Sequence, residues 1–346
     1  MENGIKVIRI KLPDLFYKRF FVMTALKILA FPLFVRMHVI RHLDACDLLI
    51  GNTPCVTIFG LTRFFRKRFS AKNFLVLWDF FPYYLQDLGV VRNKATFSIL
   101  RRLERIMYES FDKIGCMTNK NIQFLLENYD YRSPEKVIRL PIWATIKDRP
   151  VIDKLEVKNK HGLPTDKTIA VYGGAMSIVQ DLTNLLNLAD RVRNLNVCFV
   201  LIGNGTEREA LIQEATRRGL DNVIFLASVS RAEYEELLGA CDVGLIFLSH
   251  KLSVPSFPSK SLDYFKLSLP ILAGLDPFTD FGPTLTNVAR AGFYAQADRT
   301  DELAGMLKRL VDDSDLRAQL GQSGRMYYEV EFDVDRVRDT ILSEIS

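Results

Sequence analysis

The sequence predicts an α/β protein made of two doubly wound parallel-sheet units. Short apolar runs alternate with amphipathic segments through both halves of the chain. A polar stretch at 144–168, marked by Pro150, Gly162 and Pro164, separates the halves and reads as a linker. In the second half, two apolar runs end in glycines, "VYGG" and "LIGNG". At 346 residues the chain is long for a single core. Charge divides in the same way: residues 1–150 carry 25 Lys and Arg against 13 Asp and Glu, whereas the remainder carries 21 against 28. We therefore expect one domain over 1–150, a second over 151–330, and a closing helix over 331–346.

In the first half, "IKVIRIKL" (5–12) alternates apolar and charged residues and predicts a strand. Residues 19–40 predict a long apolar helix, but Lys27 and Pro32 interrupt it, and a membrane span needs ~20 clean residues. With Lys18, Arg19, Arg36 and Arg41 around it, the segment suits a helix lying in a membrane interface or one covering a sheet. "CDLLIGN" (46–52) predicts a strand, "LTRFFRKRF" (61–69) a basic helix, and "NFLVLWDF" (73–80) a strand with Asp79 near its carboxyl end. A helix over 96–111 and strands at 113–118 and 136–143 complete the half.

The second half predicts strands at 167–174, 196–205, 222–228, 241–248, 270–274 and 292–297. Helices are expected near 179–192, up to 218, over 231–240, 259–267 and 301–311, and from about 333. Ligands of such sheets bind outside the carboxyl ends of the strands. Cys46, Cys55, Cys116, Cys198 and Cys241 are scattered, without C-x-x-C spacing, and read as buried free thiols in a reducing compartment. His38 and His42 could share a helix face but lack further ligands nearby, so no metal site is expected.

Gly173 and Gly174 fall between a strand and a helix, where backbone N–H groups can approach an anion. "LIGNG" supplies Gly203, Asn204 and Gly205, but Arg208 stands where a dinucleotide fingerprint needs its third glycine, and no acid ends the next strand. NAD is thereby disfavoured, and so is a P-loop, since no G-x-x-x-x-G-K-[ST] occurs. In "PSKSLDYF", Pro258 and Ser259 open a helix on which Lys260 and Asp263 share a face. The pair suits a diphosphate and a ribose; as a plain surface ion pair it would contribute only about 0.2–0.5 kcal/mol. A nucleic-acid binder fits the basic half alone, without a recognition module.

Taken together, the "GG" turn, "LIGNG", "VIFLASVSRAEYEELLGACDVGLI" and "PSKSLDYFKLSLPILAG" resemble the donor half of GT-B glycosyltransferases. The resemblance is greatest to family 4, in the subgroup that builds bacterial O-antigen and capsule repeats. "FLVLWDFFPYYLQDLGV" and "KVIRLPIWA" resemble segments of that subgroup's N-terminal domain. The resemblance implies a GT-B fold, with two Rossmann-like domains facing across a cleft. It also implies a retaining, metal-independent transferase that moves a sugar from a nucleotide diphosphate to a lipid-linked glycan.

By position, Lys260, Ser259 and Ser261 would meet the diphosphate, and Asp263 would take the place of the ribose-binding glutamate. The glycine loops would lie near the phosphates, Ser228 and Val229 near the base, and Asp79 on the acceptor side as base or orienting group; otherwise Asp79 is a strand-end carboxylate capping a loop. The sequence departs from the family at Pro255, where a first glutamate is usual, and at Gln180–Asp181, where a basic residue is. It also begins at what resembles a strand well inside the usual N-terminal domain, so an incomplete N-terminal domain is expected. The implied partners are a nucleotide sugar, a lipid-linked oligosaccharide and the anionic inner face of the cytoplasmic membrane. A sugar-nucleotide epimerase of the same fold, or a non-catalytic remnant that binds nucleotide or a partner protein, remain alternatives.

Overall fold

The computed structural model describes residues 4–10, 21–54 and 57–345, with backbone alone for 21–29. The chain forms two compact units, Met1–Leu140 with Thr340–Ser346, and Pro141–Asp339. The first holds α1 (Phe21–His42), β1 (Leu48–Asn52), α2 (Phe59–Phe69), β2 (Lys72–Leu77), α3 (Phe81–Asp87), α4 (Lys94–Glu109), β3 (Lys113–Cys116), α5 (Asn119–Asn128) and β4 (Val137–Arg139). Its sheet is parallel throughout, in the order β1-β2-β3-β4. Asn73 to Leu77 are all buried, so β2 is covered on both faces.

The alternation at 5–12 does not yield a strand within the described residues: Ile5 makes a single bridge, residues 6–10 carry no ladder, and Ile5, Val7 and Ile8 are exposed. Alternation favours an extended chain, but a strand also needs a partner edge. Residues 11 and 12 lie outside the described residues, as does Cys55 of the expected buried thiols. Cys116, Cys198 and Cys241 are buried, and Cys46 is half-buried. Among the described residues no helix is long and apolar enough to cross a membrane.

Beneath α3 lies a buried carboxylate that sequence pattern alone did not single out. Glu104, on α4, is fully buried; its Oε1 accepts from the Phe81 N–H at 3.0 Å and its Oε2 from the Tyr129 hydroxyl. Thr53 Oγ1 accepts from the N–H groups of Trp78 and Asp79, at 2.9 Å each, so the segment carrying Asp79 is pinned at both ends. Burial pushes the Glu104 carboxyl up to about 7 against these hydrogen bonds. The folded state therefore binds more protons than the unfolded one between about 4.5 and 7, and stability is lost as pH rises through that window. The loss is on the order of 3 kcal/mol. Urea titrations at pH 5 and pH 8 should show it, and Glu104→Gln should flatten the slope; an unchanged slope in the variant contradicts this account.

The second unit holds α6 (Lys154–Lys160), β5 (Thr168–Gly173), α7 (Thr183–Arg191), β6 (Val197–Ile202), α8 (Arg208–Arg218), β7 (Val223–Leu226) and α9 (Arg231–Gly239). After these come β8 (Val243–Phe247), α10 (Lys260–Lys266), β9 (Ile271–Leu275), α11 (Phe281–Pro283), a π-turn (Thr284–Val288), β10 (Gly292–Gln296), α12 (Thr300–Asp312), α13 (Ser314–Glu331) and the start of α14 (Val334–Ile345), whose residues from Thr340 onward belong to the first unit. Its six parallel strands run in the order β10-β9-β8-β5-β6-β7. From β5 the chain winds outward to β7, then returns to β8 on the other side and winds to β10. The direction reverses between β5 and β8, where connections leaving the carboxyl ends part and open a crevice.

Helices α6 and α13 of this unit, like the short α11 and its π-turn, have no counterpart in the sequence reading. The 144–168 stretch contains α6, because the Asp153 carboxylate caps the N–H groups of Leu155 and Glu156 at 3.0 Å each. Residues 314–331 form α13, capped by Asp313 on the Leu316 N–H at 2.8 Å. This helix packs closely on α10: a Cβ at Gly321 would lie 2.0 Å from the Ser268 carbonyl, and Arg325 donates to the Lys266 carbonyl at 2.9 Å. The small residues that make α13 look weakly helical in sequence are what allow that approach.

Candidate functional site

At the switch point, the loops after β5 and β6 meet backbone to backbone. Gly174 N–H donates to Ile202 O at 3.0 Å, Met176 N–H to Asn204 O at 2.9 Å, and Glu207 N–H to Met176 O at 3.0 Å. Gly174 and Gly203 have φ values of 138° and 143°, which favour glycine. A Cβ at Gly203 would lie 2.1 Å from the Gly174 carbonyl oxygen, so the two loops require glycine there for space as well.

Helix α10 is aimed by Tyr264. Its buried hydroxyl accepts from the Gly173 N–H at 3.2 Å and lies 3.1 and 3.2 Å from the carbonyls of Leu245 and Val171, to one of which it donates. The ring rests over Gly244 of β8, where a Cβ would lie 2.6 Å from it. Tyr264 thus straddles β5 and β8, and Lys260, one turn earlier on the same face, is carried to the end of β5. Lys260 Nζ sits over the Tyr172 ring, 4.8 Å from its centre. Burial pulls the ammonium down to about 8. At seven residues α10 has little macrodipole, and the Ser261 N–H already donates to Pro258 O at 3.0 Å. Lys260, rather than the helix start, is the main positive charge from this element.

These parts border one open cavity of about 620 Å³. Gly173, Gly174, Gly203 and Asn204 line it from the glycine loops, Ser228 and Val229 from the turn after β7, and Ser259, Lys260 and Asp263 from α10. Two expected residues are not in its wall: Gly205 packs beneath the Met176 carbonyl, and Ser261 is fully buried. Asp79 belongs to the first unit; the residue as a whole is exposed, but desolvation of its carboxyl by the surrounding protein raises it above the ordinary range.

Lys260 and Asp263 do not pair. The partner of Asp263 is Arg231, whose Nη1 donates to Oδ2 at 3.0 Å while Nη2 donates to Oδ1. Arg231 and Tyr234 line the cavity too, and neither was singled out from the sequence. A Cβ at Gly173 would lie 1.9 Å from the Tyr234 hydroxyl, so that ring packs directly on the end of β5. The signal was available: Ser230 is a helix cap, and residues 231 and 234 share the face at that helix's start. A cavity with two cations, backbone amides and one carboxylate suits a ligand bearing both phosphates and hydroxyls.

Residues 153–327 match the family described as glycosyl transferases group 1. Over 239 residues the chain is 25% identical to the probable glycosyltransferase WbjE of Pseudomonas aeruginosa, covering 66% of this chain and 58% of that protein. It is 23% identical over 242 residues to the putative colanic acid biosynthesis glycosyl transferase WcaI of Escherichia coli (strain K12), covering 68% of this chain and 59% of that one. The chain thus spans less than two thirds of the length of these curated relatives. Among solved structures, Anabaena Alr3699/HepE in complex with UDP superposes with a TM-score of 0.72 at 16% identity, covering 89% of this chain and 80% of that chain. At that identity the likeness shows the fold alone, the GT-B class of two Rossmann-like units.

Proposed function

The chain belongs to the group 1 glycosyl transferases, and we propose that it transfers a sugar, with retention at the anomeric carbon, from a nucleoside-diphosphate donor to a lipid-linked glycan. The observation that carries this reading is the 620 Å³ cavity at the β5/β8 switch point, with Lys260 beside the glycine loops. We assign Lys260 and nearby backbone amides to the diphosphate, Asp263 to the ribose, and Ser228 with Val229 to the base. Neutralising charge on the departing diphosphate lowers the barrier most in such a transfer, and a fixed ammonium in a partly dry site does so without reorganisation. Lys260 fills the role a metal ion would have, so the reaction is assigned no metal cofactor.

That WcaI is described as a colanic acid enzyme and that HepE holds UDP supports a surface-polysaccharide pathway and a uridine donor. The residues resemble family 4 in its O-antigen and capsule subgroup. Asp79, held by Thr53 on one side and near Phe81 on the other, is assigned to orienting the acceptor hydroxyl. On α1, Leu33, Met37 and Ile40 form an exposed apolar stripe, beside Arg36 and the basic end of α2 at Arg66, Lys67 and Arg68. Such a surface suits peripheral attachment to the anionic inner face of the cytoplasmic membrane, at about 1 kcal/mol per cation near the lipid.

The test is release of nucleoside diphosphate from a panel of UDP-, GDP- and ADP-sugars mixed with extracted membrane lipids. The reading expects release that needs one donor and the lipid together, and that persists in EDTA. Release without lipid, or none with any donor, contradicts it.

A further inference from the structure

We infer that Arg231 is the positioning residue for ribose recognition: by gripping both oxygens of Asp263 it fixes the plane in which that carboxylate meets the hydroxyls of a nucleoside diphosphate. The inference rests on the donor-site reading above and deepens it. An aspartate one turn into α10 has a short side chain that must be held in one rotamer to serve two hydroxyls. The fork of Arg231 does this through two N–H donors, one to each oxygen. A carboxylate accepts about four hydrogen bonds, so two positions stay open for a ligand. Lysine could supply the charge but not the fork.

Three further observations point the same way. The Arg231 side chain is 65% exposed and that of Asp263 20%. With its guanidinium this open to water, the pair is a modest contributor to folding, and stability alone does not account for its two-pronged geometry. Arg231 is itself held: it begins α9 behind the Ser230 cap, with its guanidinium 5.8 Å from the centre of the Tyr234 ring. Tyr234 in turn packs on Gly173 at the end of β5, so the cation and the glycine loop are registered through one ring. Finally, Arg231 offsets a negative charge beside the expected place of a diphosphate, which Asp263 alone would repel.

The experiment is calorimetric titration of the full chain with UDP and 2′-deoxyUDP, and with the matching guanosine and adenosine pairs. The wild type is expected to prefer the ribose form of one pair by about tenfold, because a site built to bond a hydroxyl rejects the analogue lacking it. Arg231→Lys should bring that preference close to unity while affinity for the deoxy form changes little. Asp263→Asn should do the same, and the double variant should lose no more than either alone, as expected of residues acting as a unit. Melting curves confirm that each variant is folded. An Arg231→Lys protein that keeps the wild-type preference overturns the role of Arg231 and leaves the donor site standing. A wild type that binds a diphosphate without preferring ribose overturns it as well. A wild type that binds none of the six rejects the donor reading itself.

Discussion

Gly203→Ala is expected to lower the stability of the second unit by about 3–5 kcal/mol and to abolish nucleotide binding in whatever remains folded. Two effects add. The φ of 143° favours glycine, and the new methyl would lie 2.1 Å from the Gly174 carbonyl oxygen. The strain alone is worth ~1–3 kcal/mol. Relief would require the two loops to separate, breaking the hydrogen bonds from Gly174 to Ile202 and from Met176 to Asn204. Gly219, which closes α8 at φ 63° with open space around it, is the control: alanine there should cost about 1 kcal/mol and leave the site intact. Chemical denaturation of the three proteins checks both values. A Gly203→Ala protein as stable as Gly219→Ala would mean that the loops do not interlock.

Lys260→Ala is expected to reduce turnover by about a hundredfold or more and to weaken nucleoside diphosphate binding by about tenfold. The fold should survive, because Tyr264 rather than Lys260 anchors α10. The same residue sets a pH dependence. Below about 8 the ammonium carries its charge, so affinity for a diphosphate is complete near neutrality and falls as pH rises through 8. Stability of the unliganded unit moves the other way: the unfolded chain holds this proton up to about 10.5, so stability rises between about 8 and 10.5. Titrations of UDP at pH 7 and pH 9 on wild type and Lys260→Ala separate the two trends. Equal loss of affinity in both proteins would place the titrating group elsewhere.

The inner strands β5, β6, β8 and β9 were legible in the sequence because a strand buried on both faces is a continuous apolar run, and Gly174 and Gly203 because a positive φ favours glycine. Lys260 and Asp263 were legible for the same local reason, as two charges on one turn at a helix start. What the sequence concealed was non-local. The pairing of Asp263 joins residues 32 apart, so a reader sees a Lys260–Asp263 pair where the fold makes Arg231–Asp263. Tyr264 looks like a core residue by its spacing, and only the strand order reveals that its hydroxyl spans β5 and β8. Helix α13 has no counterpart in the sequence reading: Gly321 and Gly324 weaken a helical pattern, and only the fold shows that they seat it against the Ser268 backbone and the Phe265 ring. At 5–12 the error ran the other way: local alternation was sound, but no neighbouring edge pairs with residues 6–10 among the described residues.

Hydrogen exchange of the full chain with and without saturating UDP-sugar probes the central claim most directly. Protection should rise in three separate segments, 173–176, 228–231 and 259–263, and at a ligand concentration near the wild-type Kd it should be markedly weaker in Lys260→Ala. Protection confined to other segments, or none at a concentration where binding is measured by calorimetry, would show that the nucleotide does not sit at the β5/β8 switch point.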